Sequence, residues 1–163
     1  MPEETSTFFT PGVARAFETI SMAKVGRSAA DSRDLGYFRK SDEIVMNRER
    51  LLAAAKAKAL ALAENYKPPV PAEFHLPGPS GKTALLMAVD GVVMLGKASA
   101  YDRVVAEGLA DVLSGGTAAD PTLPTSEDKI TELERKTIMR LMHNTSTLAR
   151  MEYTLANGKP LRN

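Results

Sequence analysis

The stretch DEIVMNRERLLAAAKAKALALAE, residues 42–64, decides the fold. Its first five residues place Ile44, Val45 and Met46 after a polar pair, the only convincing strand signal in the chain. A lone strand cannot satisfy its own backbone donors and acceptors, so this one demands a neighbour. Asn47 then caps a helix over 48–64, where alanine and leucine give high intrinsic propensity. Leu51, Leu52, Ala55, Ala59 and Leu62 fall on one face of that helix, and that face requires cover.

Working outward, punctuation cuts the rest of the chain into helices. Thr10 and Pro11 suit a helix start, and Val13, Phe17, Ile20 and Ala23 make one stripe that Gly26 ends. Ser28 with Asp31 resembles a capping box for a short helix closed after Leu35 by Gly36. Beyond residue 64, Pro68, Pro69, Pro71, Pro77 and Pro79 predict an extended connector over 67–81. Further helices follow over about 82–95, 100–113 (capped by Ser99 with Asp102), 126–142 and 145–156. A Gly115-Gly116 break separates the second from the third, and Asn157-Gly158 suits a left-handed end for the last. The class is mainly α, with at most one or two short strands.

Composition narrows function chiefly by exclusion. A chain of 163 residues with 44% hydrophobic and 25% charged residues has the balance of one globular domain or part of a larger one. The net charge of +1 argues against nucleic acid as a partner. With no cysteine there is no disulfide, thiolate metal site or cysteine nucleophile. Residues 1–10 carry Glu3 and Glu4 and lack a basic start before an apolar run, so no secretory signal is expected, and the chain reads as cytoplasmic. The most apolar stretch, 84–95, is interrupted by Asp90 and Gly91 and is far shorter than the roughly 20 residues of a membrane-spanning helix.

Several motifs invite a chemical reading, and each has a structural one. Gly81-Lys82-Thr83 looks like the end of a phosphate-binding loop, but Leu76 stands where its first glycine belongs, and Pro77 and Pro79 remove the donors such a loop offers. A proline-rich turn into a helix fits better. His75 and His143 are the only imidazoles and lack second ligands at helical spacing, so no metal site is expected. Glu127, Asp128, Glu132 and Glu134 form a carboxylate cluster suited to acid/base work, or simply complement a helix start. Met87 and Met94 suit a greasy pocket or, more ordinarily, core filling. Lys82, Arg103 and Lys159 are isolated cations that sequence alone cannot assign to a CoA phosphate or to solvent.

One resemblance accounts for the strand without a sheet. Phe-Glu-Thr-Ile at 17–20, Met-Ala-Lys-Val at 22–25, Ser-Ala at 28–29, Leu-Gly at 35–36 and Asp-Glu-Ile-Val-Met-Asn at 42–47 come in a recognisable order. Ala-Leu-Ala at 59–61, Pro-Pro at 68–69, Gly-Gly at 115–116, Leu-Glu-Arg at 133–135, Ala-Arg-Met at 149–151 and Gly-Lys-Pro-Leu-Arg-Asn at 158–163 continue it. The series resembles the carboxyl-terminal part of the bacterial bifunctional 3-hydroxyacyl-CoA dehydrogenase/enoyl-CoA hydratase family of fatty-acid β-oxidation, over about nine-tenths of the chain.

The resemblance implies a helical carboxyl-terminal region of a crotonase-like fold. Residues 1–66 would be its terminal βα portion, 67–81 the proline-rich connector and 82–163 a helical extension. It also implies a parent chemistry: hydration of a trans-2-enoyl-CoA by two carboxylates and an oxyanion hole, then oxidation of the 3-hydroxyacyl-CoA with NAD. The family's oxyanion segments and glutamate-bearing catalytic loop lie upstream of the region matched at Phe17, and no Gly-x-Gly-x-x-Gly occurs. No catalytic, cofactor-binding or metal residue is therefore assigned, and NAD belongs only to the parent's dehydrogenase part. The expected role is enclosure of acyl-CoA in the complete enzyme and subunit assembly, with an upstream enzyme portion or further copies as partners. The surfaces expected to serve it are the Leu51 to Leu62 face and the helix containing Leu85 to Leu95. The alternative is an independent helical module that holds an acyl chain or a protein; residues 42–46 left unpaired beside a self-contained core would favour it.

Overall fold

A computed structural model describes residues 11–163, so the expected capping role of Thr10 lies outside the described residues. The chain divides into two compact units, Ala23–Val70 and one whose described part is 11–22 with 71–163.

The unit of 11–22 and 71–163 is built around a central helix. Helix α1 is Pro11–Ser21. In chain order within this unit come strand β1 (Glu73–Phe74), helix α4 (Gly78–Met94), helix α5 (Ala100–Ser114), strand β2 (Thr125–Ser126), helix α6 (Glu127–Met142) and helix α7 (Thr145–Asn157); α2 (Ala29–Asp34) and α3 (Leu51–Ala63) belong to the other unit. Helix α5 packs against α1, α4 and α6. Its sequence permits this because Ala106, Gly108 and Ala110 are small and buried, letting neighbours close in from several sides. Phe17 from α1, Leu85 from α4 and Ala106 and Ala110 from α5 form the core, flanked by Val13, Leu86, Val89, Leu109 and Leu113. Strands β1 and β2 make a two-residue antiparallel ladder, Glu73 opposite Ser126 and Phe74 opposite Thr125.

The caps follow the sequence closely. Ser99 and Asp102 exchange the two hydrogen bonds of a capping box at 3.0 and 2.8 Å. Gly115 closes α5 and Gly158 closes α7, both with positive φ, a conformation glycine adopts without a Cβ clash.

In the unit Ala23–Val70, helix α2 (Ala29–Asp34) is capped by Ser28, which accepts from the Asp31 backbone at 3.1 Å. Asn47 caps a 3-10 turn, Arg48–Arg50, that leads into helix α3, Leu51–Ala63. No residue of this unit is buried.

Three expectations are corrected. Residues 42–46 form no strand: Arg33 donates to the Asp42 carbonyl at 2.7 Å, Asp42 accepts from the Arg39 backbone at 2.8 Å, and Glu43 pairs with Lys58 of the following helix at 2.5 Å. The strands that do form, β1 and β2, come from segments with no β-periodic signal, because an antiparallel pair of two residues needs only a close approach. The first helix ends at Ser21 rather than Gly26, since Ala23 turns the chain with φ +48; Ile20 is left half exposed. Helix α4 starts at Gly78, not Lys82, because Pro79 sits in the first turn, where a missing N–H breaks no helical bond.

Candidate functional site

The polar side chains most suggestive of chemistry are held by one another across the helices of the core. Lys82, one turn into α4, reaches Asp111 on α5 at 2.7 Å and Glu107 at 3.4 Å. Arg140 on α6 approaches the other Asp111 oxygen at 3.4 Å. Arg103 on α5 bonds Asp90 on α4 at 2.6 Å and Glu107 at 3.5 Å. The hydrogen bond to Asp111 raises the pKa of Lys82 above its ordinary value, and the charges of Asp111 and Glu107 add to this against the opposing effect of partial burial. A lysine held charged in this way is an anchor, not a base.

The Gly81-Lys82-Thr83 segment forms no phosphate cradle. Gly81 is buried against Pro77, where an added Cβ would meet the proline ring at 2.4 Å. Gly78, with φ +65, lies so close to the Ala119 carbonyl that a Cβ would stand 2.8 Å from it. Thr83 donates its hydroxyl to the Pro79 carbonyl at 3.0 Å. The loop after α5 thus closes over the start of α4.

The remaining candidates resolve as structural parts. His75 Nδ1 lies 3.3 Å from the Pro121 carbonyl, tying β1 to the loop before β2. His143 Nδ1 lies 2.6 Å from the Met139 carbonyl at the end of α6. Among the described residues no three His, Cys, Asp or Glu side chains converge to hold a metal ion. Glu127 and Asp128 occupy the first turn of α6, where negative charge complements the helix dipole. Glu132 pairs with Lys136 one turn on at 2.7 Å, and that hydrogen bond lowers its pKa. Glu134 and Lys159 are exposed.

A second cluster escaped the sequence reading. Arg150 on α7 lies 4.9 Å above the Tyr101 ring and donates to Asp102 at 2.8 Å. It also bonds the Asn163 side chain at 2.6 Å and the Asn163 carbonyl at 3.2 Å. Tyr101 and Thr147 share a hydrogen bond, and Asn163 donates to the Ser146 carbonyl at 3.2 Å. Partial burial tends to raise the Asp102 pKa, but hydrogen bonds from Ser99 and Arg150 outweigh it and hold the carboxyl below its usual value. The sequence marked its parts separately, Ser99/Asp102 as a capping box and Arg150 and Asn163 within the motifs at 149–151 and 158–163, but no spacing links Asp102 to Arg150, 48 residues later.

What stands open is apolar. On α3, Leu51, Leu52, Leu60 and Leu62 are more than half exposed, and nothing in that unit covers them. On α4, Leu85, Leu86 and Val89 go into the core while Met87 and Met94, and Leu95 at the helix's carboxyl cap, stand 70%, 88% and 72% exposed. Met87 and Met94 therefore neither fill core nor line a pocket. The expected Leu85 to Leu95 surface reduces to this outer arc, because the core claims the other side.

No family model matches the chain, and no solved structure matches it. It is 36% identical over 150 residues to a protein of Bacillus subtilis (strain 168) named "Probable 3-hydroxyacyl-CoA dehydrogenase". The matched region is 91% of this chain but 19% of that relative, so the chain spans about a fifth of the relative's length. The similarity extends to the dehydrogenase name alone. Among the described residues no helix is long and apolar enough to cross a membrane.

Proposed function

We propose that the chain is a noncatalytic helical part of a fatty-acid β-oxidation enzyme, akin to the carboxyl-terminal region of a 3-hydroxyacyl-CoA dehydrogenase/enoyl-CoA hydratase. Its work there is to help enclose acyl-CoA and to make subunit contacts in a cytoplasmic enzyme. The observation that carries this reading is a unit of chain, Ala23–Val70, without a single buried residue, in a sequence similar to a fifth of a longer enzyme. A segment of this size normally requires a disulfide, a metal or a covering partner to hold its fold. The chain has no cysteine, and no metal-binding cluster occurs among the described residues, which leaves cover by protein. Lys82, Arg103 and Arg140 are paired with Asp90, Glu107 and Asp111, which supports assigning NAD and the acid/base pair to the parent enzyme.

The test is activity. The purified chain is mixed with crotonyl-CoA, and separately with 3-hydroxybutyryl-CoA and NAD; no hydration and no NADH formation is the expected result. Turnover in either assay that survives purification would overturn the proposal.

An independent helical module that holds an acyl chain or a protein is the second reading. Residues 42–46 favour it, since they form no strand, and the unit of 11–22 and 71–163 has a core of its own. The coreless Ala23–Val70 unit weighs more heavily, because a free-standing module would need that segment stable by itself.

A further inference from the structure

The segment after α7 is tied down at its far end. Beyond Gly158, the residues Lys159, Pro160, Leu161 and Arg162 make no hydrogen bond among the described residues, and of these only Leu161 is half-buried. Asn163 instead uses three groups. Its side-chain oxygen accepts from Arg150 Nε at 2.6 Å, its backbone carbonyl accepts from a terminal Arg150 nitrogen at 3.2 Å, and its side-chain nitrogen donates to the Ser146 carbonyl at 3.2 Å. Both partners lie in the first half of α7, so the segment doubles back along the helix it has just left. The two lengths match: the helical rise from Ser146 to Gly158 is about 18 Å, and the chain from Gly158 to Asn163 reaches about 17 Å when extended. Arg150 is already fixed by α5, its guanidinium 4.9 Å over the Tyr101 ring and donating to Asp102 at 2.8 Å.

We infer that residues 158–163 are a reversible strap that latches on Arg150 and thereby holds the carboxyl-terminal half of α7 in helical form. Every side chain of 151–157 is exposed, so this half of the helix has no packing to hold it, and a helix of this length is marginal alone. With Asn163 latched, unwinding 151–157 produces a closed loop instead of a free end. The closed loop has less conformational entropy to gain, which favours the helix. The latch is reversible because Asn163 is exposed and water competes for each of its bonds. Arg150 keeps Tyr101 and Asp102 in both states, so opening the strap loosens the end of α7 without detaching its start. The strap is a property of α5, α7 and 158–163, and it stands apart from the enzymatic role proposed above.

NMR relaxation and amide hydrogen exchange on the purified chain test it. The Asn163 backbone amide is expected to have an order parameter of about 0.8, close to that of rigid backbone. Asn163→Ala removes the side-chain bonds to Arg150 and Ser146 but leaves Arg150 on Tyr101 and Asp102. It lowers the order parameter at position 163 below about 0.6, and amides of 151–157 exchange about tenfold faster while those of α5 are unchanged. Arg150→Lys keeps a cation for Asp102 but loses the fork, and it gives the same two changes. Combined, the two substitutions do not add, because both open one latch. Arg162→Ala, at an exposed residue with no hydrogen bond among the described residues, changes neither. A mobile Asn163 in the unaltered chain, or exchange in 151–157 that Asn163→Ala leaves unchanged, overturns the inference. Asn163 is exposed and lies outside the core, so its substitution reads the latch even if Arg150→Lys fails to fold.

Discussion

Asp111 serves two cations from two helices, Lys82 of α4 and Arg140 of α6, with its side chain only 15% exposed. Asp111→Ala leaves Lys82, itself 19% exposed, without its nearest counter-charge, and is expected to lower unfolding stability by about 1–3 kcal/mol in urea titration. Glu132→Ala, which breaks an exposed pair on α6, should leave the urea midpoint essentially unchanged. Equal losses would mean the Lys82 cluster is no better than a surface pair. The pH dependence follows from the two shifts. Lys82 is raised above 10.5, so its contribution is present in full below that pH and fades as pH rises through its higher folded value. Asp102 is lowered below 3.8, so its contribution is present above pH 3.8 and is lost as pH falls through the lower folded value. Arg150→Gln should therefore destabilise the chain at neutral pH and converge with the wild type under acid, measured by thermal unfolding across pH. A gap that persists unchanged at the acid end would remove Asp102 from the account.

At the scale of the element, two glycines on adjacent helices predict opposite results from the same substitution. Gly108 on α5 faces α6, where a Cβ would stand 2.8 Å from the Thr137 methyl; Gly108→Ala should cost about 1–3 kcal/mol despite a better helix propensity. Gly91 faces open space, and Gly91→Ala should stabilise the chain by about 0.5–1 kcal/mol. Chemical denaturation of both variants decides the signs. Helix α3 is the complementary case: at 13 residues with no buried side chain, it has high propensity but little to hold it, and helices of that length are marginal alone. Amide hydrogens in Leu51–Ala63 are expected to exchange orders of magnitude faster than those of α5, resolved by peptide mass analysis. Comparable protection in the isolated chain would show that something covers α3. Helix identity and capping were legible in the sequence here, because Ser28, Asn47, Ser99 and Asn157-Gly158 act on backbone groups a few residues away. The start of α4 was not, since prolines that suit an extended connector equally suit the first turn of a helix.

For the whole molecule, the two units should differ in resistance to protease. Brief trypsin treatment is expected to cut first within Ala23–Val70, while the fragment bearing α1 stays bound to the rest because Phe17 is 6% exposed in the core. Recovery of 71–163 without residues 11–22 would refute the role given to Phe17. The sequence by itself determined the mainly helical class and the caps, because each depends on residue type or on spacing within a turn or two. It could not place the strands: residues 42–46 carry the β-pattern but find no partner within their unit, whereas Glu73–Phe74 and Thr125–Ser126 pair because packing brings them together. Nor could it tell which side of an all-apolar helix faces the core. Only tertiary structure decided that Leu85 goes inward and Met87 outward, and that Lys82 and Arg150 are consumed by partners 29 and 48 residues distant. Those outcomes depend on long-range packing, which no local spacing encodes.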